Sequence, residues 1–146
     1  MPTTTIAGLN ASGKICLSNL PEETVPCLGD GTEKAGAIVY IIAATGLVAK
    51  SNIGTTEIFE GILLKSYKTE VDTAIPANEP THLVKPTSGH IYRVRLADPT
   101  ATLQVGNALE LGNGVLAKSA TLDDKSVAYV HKLCVTGDTV AEVRWR

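Results

Sequence analysis

GLVAKS, at residues 46–51, returns as GVLAKS at residues 114–119, a separation of 68 positions (114 − 46). A glycine followed by apolar residues, one of them valine, is typical of a tight turn that leads into a β-strand. Self-similarity at a fixed offset indicates a duplicated structural unit. The repeat therefore predicts two copies of one β-unit, and a duplicated β-scaffold favours a structural or binding protein over an enzyme.

The two copies extend beyond this phrase, to residues of about 36–86 and 106–146. Each copy has an apolar strand before the glycine turn, the repeated strand after it, and a returning strand near its end. Asn113 and Gly114 predict a two-residue type I′ hairpin turn, because that turn needs positive φ at both central positions. The turn glycines of both copies therefore have a conformational reason to be glycine.

From residue 36 onward the chain is dense in Val, Ile, Leu, Thr and Tyr, with Gly, Pro, Asn and Asp at short intervals. This pattern is typical of all-β sandwiches and barrels, and no window has the spacing of an amphipathic helix. The sequence predicts one compact β-barrel or β-tulip domain over residues 35–146, with an internal repeat and little helix. Residues 1–34 predict an extended N-terminal arm with one short strand at 14–17.

Two predicted strands alternate, and two are apolar on both faces. Residues 90–97 and 139–146 place apolar side chains on one face and charged side chains on much of the other, as expected for half-buried strands. Residues 38–43 and 58–64 are apolar on both faces. We expect these two segments to be covered on both sides, by closure of a barrel or by another chain.

Composition excludes several classes of protein. The chain has 146 residues, 13 basic and 15 acidic side chains, and a net charge of −2, which argues against binding nucleic acid through phosphate neutralisation. Three cysteines, an odd number, do not suggest a disulfide framework. Neither a secretory signal nor a membrane-spanning segment is visible, so we expect a protein made in a cytoplasm that does not bind membranes.

The sequence has no complete catalytic or metal-binding motif. Residues 8–14 match the first seven positions of a phosphate-binding loop, but Ile15 replaces the hydroxyl that binds Mg²⁺. The histidines lack the spacing of metal ligands, and His131 and Cys134 are expected on opposite faces of a strand. Asp98, Asp123 and Asp124 fit turns. The sequence therefore predicts no enzyme, no cofactor, no metal and no small-molecule substrate.

A long excursion and two pairs of arginines are the candidate contact sites. The first copy reaches its returning strand through residues 65–78, which we expect to protrude towards a partner. Two arginines spaced by two on a strand share one face, where they either meet solvent or bind a partner's carboxylates. The predicted contacts to a partner or to other copies are Ile6 and Leu9 in the arm, Tyr67, Val71 and Ile75 in the excursion, and Arg93, Arg95, Arg144 and Arg146.

Several segments together resemble a known family of viral proteins. The segments are AGxxVY at 35–40, GLVAK at 46–50, FEGI at 59–62, GNAL at 106–109, AK at 117–118 and EVRW at 142–145. They resemble the small capsid decoration proteins, or cement proteins, of tailed bacterial and archaeal viruses. The resemblance implies a β-barrel or β-tulip domain that forms a homotrimer on the outer surface of a shell of major capsid protein.

These observations leave three candidate functions. The leading hypothesis is a non-enzymatic cement protein on the exterior of the virion, which binds the major capsid protein and stabilises the shell. The alternative is a virion β-barrel adhesion module that binds a host surface glycan or a tail component, although six aromatic residues offer little material for sugar stacking. A small hydrolase or regulatory subunit would instead need a pocket with converging titratable groups.

Overall fold

The computed structural model describes residues 14–18, 20–51, 61–97, 102–119, 126–134 and 137–146. In these residues the chain forms two antiparallel five-stranded sheets. The first sheet contains β1 (Glu23–Leu28), β2 (Ile38–Ile41), β3 (Val48–Lys50), β4 (Gly61–Leu63) and β5 (Pro80–Lys85). The second contains β6 (Ile91–Arg95), β7 (Ala108–Gly112), β8 (Val115–Lys118), β9 (Ser126–Val130) and β10 (Val140–Trp145). The predicted all-β class is confirmed, and the described residues contain no helix.

The two sheets have the same topology. The strand order is β1-β5-β4-β2-β3 in the first and β6-β10-β9-β7-β8 in the second, so each strand has its counterpart five strands later. In the structure, the first copy therefore means β1–β5, residues 23–85, and the second copy means β6–β10, residues 91–145. Leu28 forms a parallel bridge with Leu47, and Leu96 forms one with Leu116. These bridges join the first strand of each copy to its third, so each sheet curls until its two edges meet at one end, as in a small barrel.

Strand β1 lies within the stretch predicted as an arm. Residues 14–17 contribute only a single bridge, from Cys16 to Tyr92, whereas Glu23–Leu28 pairs along its length with β5. Residues 14–17 do pair with β6, through this bridge and two backbone hydrogen bonds, but the prediction that they form the one strand of the arm missed β1. Strand β1 was not predicted because it contains Pro26. Proline within a run argues against a central strand, whereas an edge strand such as β1 tolerates it. Ile6 and Leu9 lie outside the described residues.

The first sheet is buried on both faces at its centre. Val39, Leu63 and Leu83 face a core within the first copy. Ile38, Ile62 and Val84 point the other way, into the core of the second copy, which includes Tyr92, Leu109 and Leu116. The prediction that these strands are covered on both sides is confirmed for β2 and β4, and the second cover is the other half of the same chain. Ile42 and Ala43, which follow β2, are instead exposed in a turn.

The alternating strands of the second sheet are also confirmed. Tyr92, Val94 and Leu96 are buried on one face of the β6 segment. Ala141, Val143 and Trp145 are buried in β10, while Arg144 is exposed. The ring centroids of Tyr92 and Trp145 lie 6.2 Å apart in an edge-to-face arrangement. Trp145 therefore seals the core of its own chain.

The turn of the repeated phrase joins the two copies. Asn113 and Gly114 have φ angles of 53° and 84°, which confirms the predicted positive φ at both positions. The Gly114 carbonyl accepts a hydrogen bond from Ile38 N–H at 2.8 Å, and Gly114 N–H donates to the Ser51 carbonyl at 2.7 Å. The hairpin of the second copy thus docks between the start of β2 and the end of β3.

Candidate functional site

A polar cleft of about 500 Å³ lies between the two copies, within the size range of ligand pockets. Titratable side chains from both copies surround it: Glu33, Lys34 and Lys50 from the first copy, Asp72 from the excursion, and Arg95 from the second copy. The sequence offers no such cluster, because these residues come from separate loops and strands. Arg95 is the one member of this cluster that was predicted as a contact residue.

Glu33 is the most buried charged group at this cleft, with 6% of its surface exposed. Its carboxylate accepts a hydrogen bond from the Thr32 hydroxyl at 3.0 Å. Burial raises the pKa of Glu33, against the opposing effects of this hydrogen bond and of the nearby Lys50 ammonium. The Glu33 backbone is held as well, because its N–H donates to Asp30 Oδ1 at 2.9 Å. The carboxyl group is therefore fixed in place and costly to ionise.

Arg95 ties three parts of the chain together at the same cleft. Its Nε donates to the Ala35 carbonyl at 2.8 Å, and its Nη2 donates to the Val71 carbonyl at 2.7 Å. Its Nη1 forms an ion pair with Asp72 Oδ1 at 3.0 Å. The side chain is 11% exposed. All three guanidinium nitrogens of Arg95 thus contact other segments. They link Ala35, and Val71 and Asp72 of the excursion, to strand β6.

Of the other predicted arginines, Arg93 is about as enclosed as Arg95, whereas Arg144 and Arg146 are exposed. Arg93 Nη1 donates to the Lys14 carbonyl at 3.0 Å, and Nη2 lies 3.8 Å from Glu142. Arg144 and Arg146 are exposed, and each has one guanidinium nitrogen near a backbone carbonyl, of Gly89 at 2.8 Å and of Ser126 at 3.3 Å. Contact of these arginines with a partner stays a prediction.

The excursion is anchored to the body of the protein by four buried residues, Ser66, Thr69, Val71 and Ile75. Ile75 is 1% exposed in the first core, and Val71 is 4% exposed in the second. Ile75 N–H donates to the Glu33 carbonyl, and Gly31 N–H donates to the Ile75 carbonyl, both at 2.9 Å. Tyr67, by contrast, is 97% exposed. Of the three predicted contact residues in the excursion, Tyr67 is the one whose side chain meets solvent.

A second polar cluster joins the residues before β1 to the start of β6. Glu22 Oε1 accepts a hydrogen bond from the Tyr92 hydroxyl at 2.7 Å, and Glu22 Oε2 lies 2.6 Å from His90 Nδ1. Burial, and then the Glu22 hydrogen bond, raise the pKa of Tyr92 to about 12. Within the part of the chain that the structure describes, no three His, Cys, Asp or Glu side chains are placed to hold a metal ion.

The three thiols are free, with Cys27 and Cys134 buried and Cys16 half-buried. Burial raises the pKa of Cys16, Cys27 and Cys134 from 9.0 to about 11. We expect all three to react about a hundredfold more slowly with a thiol reagent at pH 8 than in the unfolded chain, because the thiolate is the reacting species. The thiols also favour the folded state below pH 9.0, and this contribution is lost as pH rises through about 11.

Timed labelling in buffer and in guanidinium chloride, followed by intact mass, measures these rates. The folded rate should rise with pH until the raised pKa values are reached. A thiol that is labelled equally fast in both solutions would contradict its assignment as a buried, inert group.

Fold and site together define an all-β protein made of two copies of a five-stranded unit, with a polar cleft at the seam between them. No helix of the described residues is long and apolar enough to span a membrane. No protein-family model matches the chain, and no curated protein matches it in sequence.

Among solved structures, the chain is similar to the N base of the head fiber protein gp8.5 of bacteriophage phi29. The TM-score is 0.57, the identity is 10%, and the match covers 86% of this chain and 95% of the other. At this identity the likeness is one of fold. It extends over nearly the whole of both chains, so it includes both copies of the unit.

Proposed function

We propose that this chain is a structural protein of a bacteriophage virion and acts as a decoration, or cement, protein. It binds the outer surface of a shell of major capsid protein as a homotrimer and stabilises that shell. The observation that carries this proposal is the fold likeness to the base of a phage head fiber over 86% of the chain. Inert thiols and an internally satisfied Arg95 agree with a structural role.

The physical effect of such a protein follows from mass action. A protein that binds the assembled shell and not free capsid subunits favours assembly by RT ln(1 + [L]/Kd) per site, or about 2.7 kcal/mol at a concentration of 100 Kd. Many sites on one shell add their contributions. The chain therefore needs no catalytic chemistry to strengthen a particle against the pressure of its genome.

A virion adhesion module is the second candidate. The exposed ring of Tyr67 favours it, because aromatic rings with a polar end are frequent at binding surfaces. Such a module would bind a host glycan or a tail component and would leave the stability of the shell unchanged.

The test uses particles of the encoding virus that are produced without this chain. Purified chain is added to mature particles, and occupancy is measured by quantitative mass spectrometry together with the heat released. Saturable binding at micromolar concentration and a higher temperature of particle disruption are expected. Absence of binding at these concentrations would reject the cement function, and binding without stabilisation would favour the adhesion module.

A further inference from the structure

Tyr67 stands out from the surface of the first copy as a knob. Its side chain is 97% exposed, although the neighbouring Ser66 and Thr69 are 2% and 8% exposed. An aromatic ring that is left wholly in water contributes nothing to its own core. A ring in this position is suited to fill a cavity in a binding partner.

The backbone that carries Tyr67 is fixed by its neighbours. The Glu79 carboxylate accepts hydrogen bonds from the hydroxyl groups of Ser66 and Thr69, the second at 2.5 Å. The Ser66 hydroxyl oxygen also accepts a bond from Lys68 N–H at 3.2 Å. Because both sides of Tyr67 are held, little backbone freedom is lost when the ring is bound.

An apolar cleft of about 270 Å³ lies in the same copy as this knob. It is lined by Pro26, Cys27 and Leu28 of β1, by Pro80, Thr81 and His82 of β5, and by Gly46. The cleft and the knob belong to the same end of the first copy, because Glu79 holds the Tyr67 loop and directly precedes Pro80. The cleft is large enough for a tyrosine ring, and His82 offers a polar partner for its hydroxyl group.

The charges near the knob do not select an acidic or a basic partner. Lys65 and Lys68 lie close enough to Glu79 to lower the pKa of its carboxyl group, after the larger effect of the Ser66 and Thr69 hydrogen bonds. Glu70, exposed in the same loop, offsets the second lysine. We therefore expect the fit of the Tyr67 ring, and not charge, to select the partner surface. This chain itself carries an apolar cleft of matching size.

We propose that Tyr67 of one copy inserts into the Pro26–Leu28–Pro80 cleft of a second copy. This contact specifies the self-association that forms part of the proposed function. One tyrosine buries roughly 150–250 Å², whereas stable interfaces bury about 1,200–2,000 Å² in total. The contact is therefore weak in solution, with dissociation at high micromolar to millimolar concentration, and strengthens when copies are held side by side on a surface.

Sedimentation equilibrium of the full chain tests this proposal without any capsid. The weight-average mass should rise above 15.3 kDa as the concentration approaches the millimolar range. Tyr67→Ala removes the knob and His82→Trp fills the cleft, so each should weaken association at least tenfold. Leu133→Ala, at a residue 56% exposed in the second copy, is the matched control and should associate like the wild type.

A mixed cross-linking experiment tests the pairing itself. Tyr67→Cys is mixed with Pro26→Cys under mild oxidation, each in a chain whose three native cysteines are replaced by alanine, because Cys16 is half-buried and Cys27 lines the cleft. Disulfide-linked pairs should contain one chain of each variant in excess over like pairs. A statistical mixture of pairs, or a wild type that stays monomeric throughout, would overturn the proposal. If a monomeric wild type needs Tyr67 to bind particles, the knob contacts the shell, and only the self-contact is rejected while the cement function stands.

Discussion

Arg95→Ala should lower the free energy of unfolding by about 2–6 kcal/mol, because two carbonyl groups would each lose their donor at a cost of about 1–3 kcal/mol. The guanidinium group is 11% exposed and donates to the carbonyls of Ala35 and Val71 as well as to Asp72. Its loss leaves two carbonyls and a carboxylate without their donor at the seam between the copies. Against a total stability of about 5–15 kcal/mol for a domain, this is a large fraction.

Urea unfolding followed by tryptophan fluorescence measures the effect, since Trp145 is buried in the second core. Arg144→Ala is the matched control, because Arg144 is exposed and donates to the Gly89 carbonyl through one guanidinium nitrogen. It should change stability by about 0.5 kcal/mol or less. Arg95→Lys should fall between the two, because an ammonium keeps the charge but not the planar fork. Equal effects of the two alanine variants would contradict the role assigned to Arg95.

Gly61→Ala should destabilise the fold by about 3 kcal/mol, the upper range for overpacking, because the obstacle is backbone. A Cβ at Gly61 would lie 2.2 Å from the Val84 carbonyl oxygen and 2.9 Å from Leu83 Cδ1. Strand β4 pairs with β5 at this point, with Ile62 opposite Val84. The methyl group would force the two strands apart where the first sheet is buried on both faces.

Gly112→Ala provides the comparison on the other copy. Gly112 is the last residue of strand β7, and a Cβ there would meet nothing within 4 Å. This variant should be neutral or gain about 0.4–1 kcal/mol through reduced freedom of the unfolded chain. Thermal unfolding of the two variants under the same conditions measures both effects. A Gly61→Ala variant as stable as Gly112→Ala would show that β4 and β5 are not in close contact.

Local patterns allowed much of the fold to be predicted. The Asn113–Gly114 turn depends on two adjacent residues, and the alternation of Tyr92 and Val94 depends on one strand, so neither needs knowledge of the rest of the chain. Strand β1 was missed because its pairing with β5 is set by residues almost sixty positions away. Proline at position 26 also removed the local signal that would have compensated.

The cleft could not be predicted for a related reason. Glu33 and Asp72 meet Arg95 only after three segments that are distant in sequence have packed together. The spacing of Arg93 and Arg95 correctly placed both on one face of β6, but it carried no information on what covers that face. Val71 and Ile75 illustrate the same limit, because an apolar residue in a loop fits equally well with a packed loop and with a docking surface.

A difference map between particles made with and without this chain tests the central claim most directly. The account predicts extra density on the outer surface of the shell, in groups of three copies, each matching a chain of 15.3 kDa with two five-stranded sheets. Extra density confined to the tail, or identical maps for the two kinds of particle, would contradict it.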